Sequence, residues 1–168
     1  GVGKIVAGKP LPPELVQENI PALERALDVL GTAICIVRSV GIPVVVAVNR
    51  FETDMINIVA QGLEFIDQTG MDNVGLHLDT FHMHLEEKDS GDAIRLANQK
   101  IYHFHACEND RGVPGTGQVH WDKVARALKD VQYDGPVVIE SFTSQVKEIA
   151  RAVCIWREIA PSQDAIAV

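Results

Sequence analysis

Three short apolar runs end in residues that bind metals or move protons: Val74-Gly75-Leu76-His77-Leu78-Asp79, Ile101-Tyr102-His103-Phe104-His105 and Pro136-Val137-Val138-Ile139-Glu140. An aspartate, an imidazole and a glutamate at one point combine hard oxygen ligands with nitrogen, a set suited to a divalent cation in an enzyme. A fourth run, Pro43 to Val48, belongs with these but has no acid at its end. Asp79 is followed three residues later by His82. A strand-end Asp commonly caps the next helix, but the nearby His82 favours metal or substrate contact. On a strand, His103 and His105 share a face. A lone buried His is usually hydrogen-bonded core, whereas this pair is followed by Glu108, Asn109, Asp110 and Arg111. Arg111 offers a planar charged fork for substrate oxygens; the plainer alternative is a surface salt bridge. An ionised Glu140 beside a Val-Val-Ile run is costly unless paired or ligated, which favours a functional role.

Each acid needs a strand to carry it. The four runs are apolar without strict alternation, as expected for parallel strands covered on both faces. Between them, helical spacing predicts helices over 14–40, from Thr53 or Asp54 to Gly70, weakly over 85–98, over 121–131 and over 144–159. Pro21 kinks the first helix or starts its second part, and Gly41 with Pro43 stops it. A helix followed by four strand–helix repeats implies a parallel α/β sheet. Acids at the C-terminal ends of strands are where a β/α barrel keeps its chemistry, and a whole barrel needs eight strands and roughly 250 residues. Four strands in 168 residues make half a barrel or a smaller open sheet.

The chain is 46% hydrophobic with a net charge of -8, a normal globular balance that disfavours a nucleic-acid partner. No apolar stretch approaches the ~20 residues of a membrane span. Cys35, Cys107 and Cys154 are odd in number and far apart, which suits reduced thiols in a cytoplasmic protein. The start at Gly1 and the stretch from Pro161 to Val168, where Ser162 resembles a helix cap, read as cuts in a longer protein. Three other signals fail. The glycine and lysine spacing from Gly3 to Pro10 lacks a preceding strand and the metal-binding hydroxyl of a phosphate loop. No helix opens directly on Gly115-Thr116-Gly117, and Cys107 reads as a small core residue rather than a nucleophile.

Four ordered motifs carry a resemblance. They are Asn49-Arg50-Phe51-Glu52-Thr53, Leu78-Asp79-Thr80-Phe81-His82-Met83, His103-Phe104-His105 with Arg111 and Pro114-Gly115, and Tyr133-Asp134-Gly135-Pro136-Val137-Val138-Ile139-Glu140-Ser141-Phe142. With them the chain resembles the ketose 3-epimerases, the D-tagatose and D-psicose (allulose) group of the xylose-isomerase-like barrels, from about residue 43 to 160. The resemblance implies a parallel (β/α) barrel of the TIM type, with residues 1–168 a single partial-barrel domain holding strands five to eight. It also implies a metal-dependent sugar epimerase or isomerase working by proton transfer through an enediolate. The divalent ion, manganese first and magnesium or cobalt as alternatives, is held in such enzymes by Glu, Asp, His and Glu. Asp79, His105 and Glu140 match the last three, and Glu140 also matches one of two catalytic carboxylates. Glu52, His82 and Arg111 match substrate contacts.

The first Glu, three residues before the Asn-Arg-Phe motif, is Val46 here. That change removes a ligand and a base together, so weak metal binding and little activity are expected of the chain alone. The alternatives are a non-catalytic sugar- or partner-binding remnant and an endonuclease IV-like phosphodiesterase, the latter disfavoured by the acidic balance. Half a barrel leaves two open strand edges. Association is therefore expected, as a homo-oligomer or with a separate N-terminal half.

Overall fold

The computed structural model describes residues 20–51, 55–142, 144 and 146–155. Glu52, Thr53, Asp54, the Gly3–Pro10 stretch, the start of the first predicted helix and the residues beyond 155 lie outside them. The chain divides into two units, residues 1–42 and 43–168. The first contains helix α1 (Ile20–Ser39). It ends at Gly41, whose φ of 72° is cheap only for glycine. The amide of Gly41 donates to Arg38 O at 2.9 Å and that of Ile42 to Val37 O at 3.2 Å, so the last carbonyls are satisfied as predicted.

The second unit is a parallel sheet of β1 (Val44–Ala47), β2 (Val74–Asp79), β3 (Ile101–Ala106) and β4 (Val137–Ile139), in that order. The connecting helices are α2 (Val59–Thr69), α3 (Thr80–Glu86), α4 (Ser90–Ala97) and α5 (Trp121–Asp130), and α6 (Lys147–Ala152) follows β4. Strand–helix alternation with consecutive neighbours is what the sequence pattern predicts. Three helices differ from it, α6 by covering only Lys147–Ala152 where 144–159 is predicted. α2 begins at Val59 rather than at Thr53 or Asp54, because Ile56 is taken into the core and Gln61 reaches back to accept from Asn57 N at 2.8 Å and Ile58 N at 3.2 Å. The weakly patterned 85–98 stretch is two helices. Asp89 starts the second by accepting from Gly91 N at 2.8 Å and Asp92 N at 3.1 Å.

Leu76, Leu78 and Phe104 are fully buried on the helix side of the sheet with Val59, Ile66, Ile94, Val124 and Ala127. Each such side chain stabilises by roughly 1.5–3 kcal/mol relative to exposure. α2 comes close through Gly62, where a Cβ would stand 2.7 Å from Leu76 Cδ2. The other face of the sheet carries the chemistry. Register pairs His77 with His103 and Asp79 with His105, and a bulge between Leu76 and His77 makes Tyr102 the inserted residue.

Candidate active site

Asp79 ends β2 and uses its two carboxylate oxygens differently. Oδ1 accepts from Phe81 N at 2.7 Å and caps α3, while Oδ2 lies 3.7 Å from His105 Nδ1. The cap and the site contact, rival readings of this residue in sequence, coexist. Thr80 holds the neighbouring strand end in place: its hydroxyl donates to Cys107 O at 2.6 Å and accepts from Cys107 N at 2.8 Å. Glu140 stands just past β4, with its amide donating to Ala106 O at 3.0 Å. Its Oε1 is 3.4 Å from His105 Nδ1, and its Oε2 accepts from Arg111 Nη1 at 3.1 Å. The three strand-end residues picked out in sequence therefore converge.

Arg111 is no surface residue. It is 3% exposed, and its guanidinium carbon lies 3.7 Å from the Phe81 ring centre, with Phe51 and Phe142 at 5.5 and 5.4 Å. Its φ of 67° is uncommon for a residue with a side chain, and such conformations persist where their surroundings hold them. Here the Arg111 amide donates to Glu108 O, and its carbonyl accepts from Phe142 N, both at 2.9 Å. Glu108 is fully buried, and its carboxylate accepts from Gly115 N at 2.8 Å, Val119 N at 2.7 Å and Trp121 Nε1 at 2.8 Å. Sequence reading noted Glu108 only as a neighbour of the His pair. Burial, which sequence does not display at a loop position, makes it the anchor of the loop that presents Arg111.

A cavity of about 180 Å³ opens over these groups, lined by Asp79, His105, Glu140, Arg111, His82 and His77, with Phe142 and the β1 end at Ala47, Val48 and Asn49. His82 is buried, and its Nδ1 accepts from Phe51 N at 3.4 Å. Val46 pairs with Leu76 and so shares the helix side of the sheet, whereas Ala47 pairs with His77. Glu52 lies outside the described residues. His77, which sequence reading passed over, reaches the cavity because it sits two positions before Asp79 on the same strand face.

Burial, and after it the adjoining Glu140 carboxyl, push the Asp79 carboxyl up to about 7. Burial lowers His105, opposed by Glu140, and it lowers His77 to about 4 with help from His105 and His103. Both imidazoles are thus neutral at pH 7 and able to bind a metal. Cys107 is buried and its thiol is pushed up to about 12, as a core residue should be and a nucleophile should not. Two carboxylates forced together beside a neutral imidazole form a set that a divalent cation would relieve. Among the described residues, two ligand clusters have atoms within 4.8 Å of one another: Asp79 with Cys107 and Glu140, and His77 with His103 and His105.

Parallel strands that present acids and imidazole at their C-terminal ends, beside a buried arginine, define a β/α-type protein with its candidate site where that fold class keeps its chemistry. The chain belongs to the xylose isomerase-like TIM barrel family, whose model matches residues 3–162. A curated relative, the probable ketose 3-epimerase of Synechocystis sp., is 44% identical over 119 residues, which are 71% of this chain and 42% of that protein. The crystal structure of D-psicose 3-epimerase with D-tagatose from Clostridium cellulolyticum H10 matches with a TM-score of 0.78 and 33% identity, covering 89% of this chain and 52% of that one. The chain thus spans about half the length of these relatives. A separate likeness, 52% over 54 residues, links 32% of the chain to 10% of the formate–tetrahydrofolate ligase of Desulforamulus reducens.

Proposed function

We propose that this chain is the metal-binding, C-terminal part of a ketose 3-epimerase barrel, with residues 1–168 one partial domain. The observation that carries the reading is the convergence of Asp79, His105 and Glu140 on one cavity, with Arg111 bonded to Glu140. Relatives at 44% identity named as ketose 3-epimerases support it.

Asp79, His105 and Glu140 are the residues that would hold the divalent ion, manganese being the first choice for a set rich in carboxylate. When bound, the ion supplies electrophilic polarisation of a ketose carbonyl and its neighbouring hydroxyl. Glu140 takes the proton from C3, the electron pair passes toward the C2 carbonyl, and an enediolate results. Arg111 fixes the Glu140 carboxylate from one side, and its planar guanidinium is the sugar contact that the resemblance implies. His82 and Glu52 complete the sugar contacts. Inversion requires that a proton return to the opposite face. The β1 end brings no carboxylate for that step, since Val46 lies on the helix side of the sheet and Ala47 stands at the cavity, so the chain alone is proposed to bind metal weakly and to epimerise slowly. The open edges of β1 and β4 favour association, with copies of itself or with a separate N-terminal half, and three free cysteines suit the cytoplasm.

The test is exchange of the C3 proton of free ketoses with deuterated water, followed by NMR with added Mn2+. Wild type is expected to exchange that proton slowly, with faster turnover once a carboxylate stands at the β1 end. In the observed register the position for it is Ala47 rather than Val46. A normal enzymatic rate from the chain as it stands would overturn the proposed impairment. Absence of C3 exchange and of bound divalent ion would favour a non-catalytic remnant, the reading that the missing carboxylate at the β1 end supports.

A further inference from the structure

Between the level of Asp79 and His105 and the register level below it, the inner face of β2 and β3 gathers three imidazoles. One ring nitrogen from each of His77, His103 and His105 lies within 4.8 Å of the others. The rings meet edge to face, with centres 4.8 Å apart for His77 and His103, 4.2 Å for His77 and His105, and 4.9 Å for His103 and His105. The β3 bulge creates this group. Because Leu76 pairs with Ile101 and His77 with His103, Tyr102 is absorbed between them. In an unbroken register Tyr102 would oppose His77, and His103 would turn to the helix side beside Leu78. The Tyr102 ring instead lies over Gly75, where a Cβ would be 2.3 Å from its Cγ. One polar atom in the group is orphaned: Nε2 of His77 is buried and bonded to nothing in the structure. Buried polar atoms are rarely left so, and an unmade bond points to a missing partner.

We propose that His77, His103 and His105 form a second cation site, of the zinc type. Three imidazole nitrogens this close together are a set that zinc accepts, whereas manganese and magnesium favour the carboxylates at the strand ends. His105 is common to both sets, so zinc at the three imidazoles competes with an ion at the carboxylates. The assignment concerns zinc binding alone and stands whether or not the chain epimerises sugars.

The experiment titrates the metal-free chain with Zn2+ against a chromophoric chelator, with Co2+ as a spectroscopic stand-in. Wild type is compared with His103→Gln, His77→Gln and Asp79→Asn. Zinc affinity is expected to fall roughly 10- to 100-fold or more in each His variant, since even outer-shell changes cost that much. Asp79→Asn should retain the intense visible absorption of four-coordinate cobalt, and His103→Gln should keep the wild-type affinity for Mn2+. Thermal unfolding with and without Zn2+ supplies a second readout, in which zinc raises the midpoint of wild type but not of the His variants. Wild-type zinc affinity or stabilisation in His103→Gln would overturn the site. So would its loss in Asp79→Asn alone, which would assign the zinc to the carboxylates.

Discussion

β2 and β3 are flanked on both sides by strands and covered by helices, and Leu76, Leu78 and Phe104 are fully buried. Among the described residues β1 and β4 have a strand partner on one side, and Val137, Val138 and Ile139 are 53%, 41% and 59% exposed. Asp79 and His105, on the central pair, need little besides their strands to hold them. Glu140, past the exposed β4, is steadied by other means: the hydrogen bond to Ala106 and the grip of Arg111, itself set by Glu108. The end of β1 contributes Ala47, Val48 and Asn49 to the cavity and no acid at all. A site can thus be half built by the interior of a sheet, while its edge positions depend on loops.

Removing Glu140 tests the edge half most severely. Glu140→Gln keeps the shape and is expected to lower epimerisation roughly 100- to 10,000-fold, the usual weight of a proton-transfer group. A smaller loss in the NMR assay would mean that the edge carboxylate is not the base.

Glu108→Ala strikes the loop rather than the strand. It strips Gly115 N, Val119 N and Trp121 Nε1 of one buried acceptor group. A loss of roughly 3 kcal/mol or more is expected in urea unfolding, since each bond to a charged group is worth about 1.5–3 kcal/mol. Glu108→Gln, which keeps one oxygen, should lose less.

Proton linkage sharpens the central half. Asp79 has its folded pKa raised from 3.8 to about 7, so its contribution to stability is fully present below 3.8 and is lost as pH rises through 7. A cation needs the ionised form. Affinity for Mn2+ is therefore expected to climb with pH by up to about tenfold per unit until near 7 and then level off. Isothermal titration at several pH values measures this, and Asp79→Asn should flatten both the affinity slope and the fall in metal-free stability.

The smallest expected effect is on β4. Val138→Lys places charge on an exposed edge strand and should change stability by less than about 0.5 kcal/mol. Light scattering should nevertheless show weaker association, because an inserted lysine blunts strand-edge pairing. Unchanged association would place the contact elsewhere.

Much of this was legible in the residues. Continuous apolar runs between helical spacings announced a parallel sheet, and two acids and an imidazole at the run ends marked Asp79, Glu140 and His105. The break in the 85–98 stretch was missed because Asp89 as a cap resembles any surface acid until its amide partners are seen. His77 was missed because a histidine two residues before an acid has no meaning until strand pleating puts both on one face.

Residue order along the chain was enough to specify which strands exist, their parallel sense and which acids end them, because local periodicity and strand-end chemistry act over a few residues. Tertiary structure alone decided the rest. Packing around Arg111 ruled out the surface salt bridge that was its plainer reading, a one-residue bulge brought His103 beside His77, and register put Ala47 rather than Val46 at the cavity. Each depends on pairings between segments far apart in sequence, and a shift of one residue there reverses which face a side chain occupies.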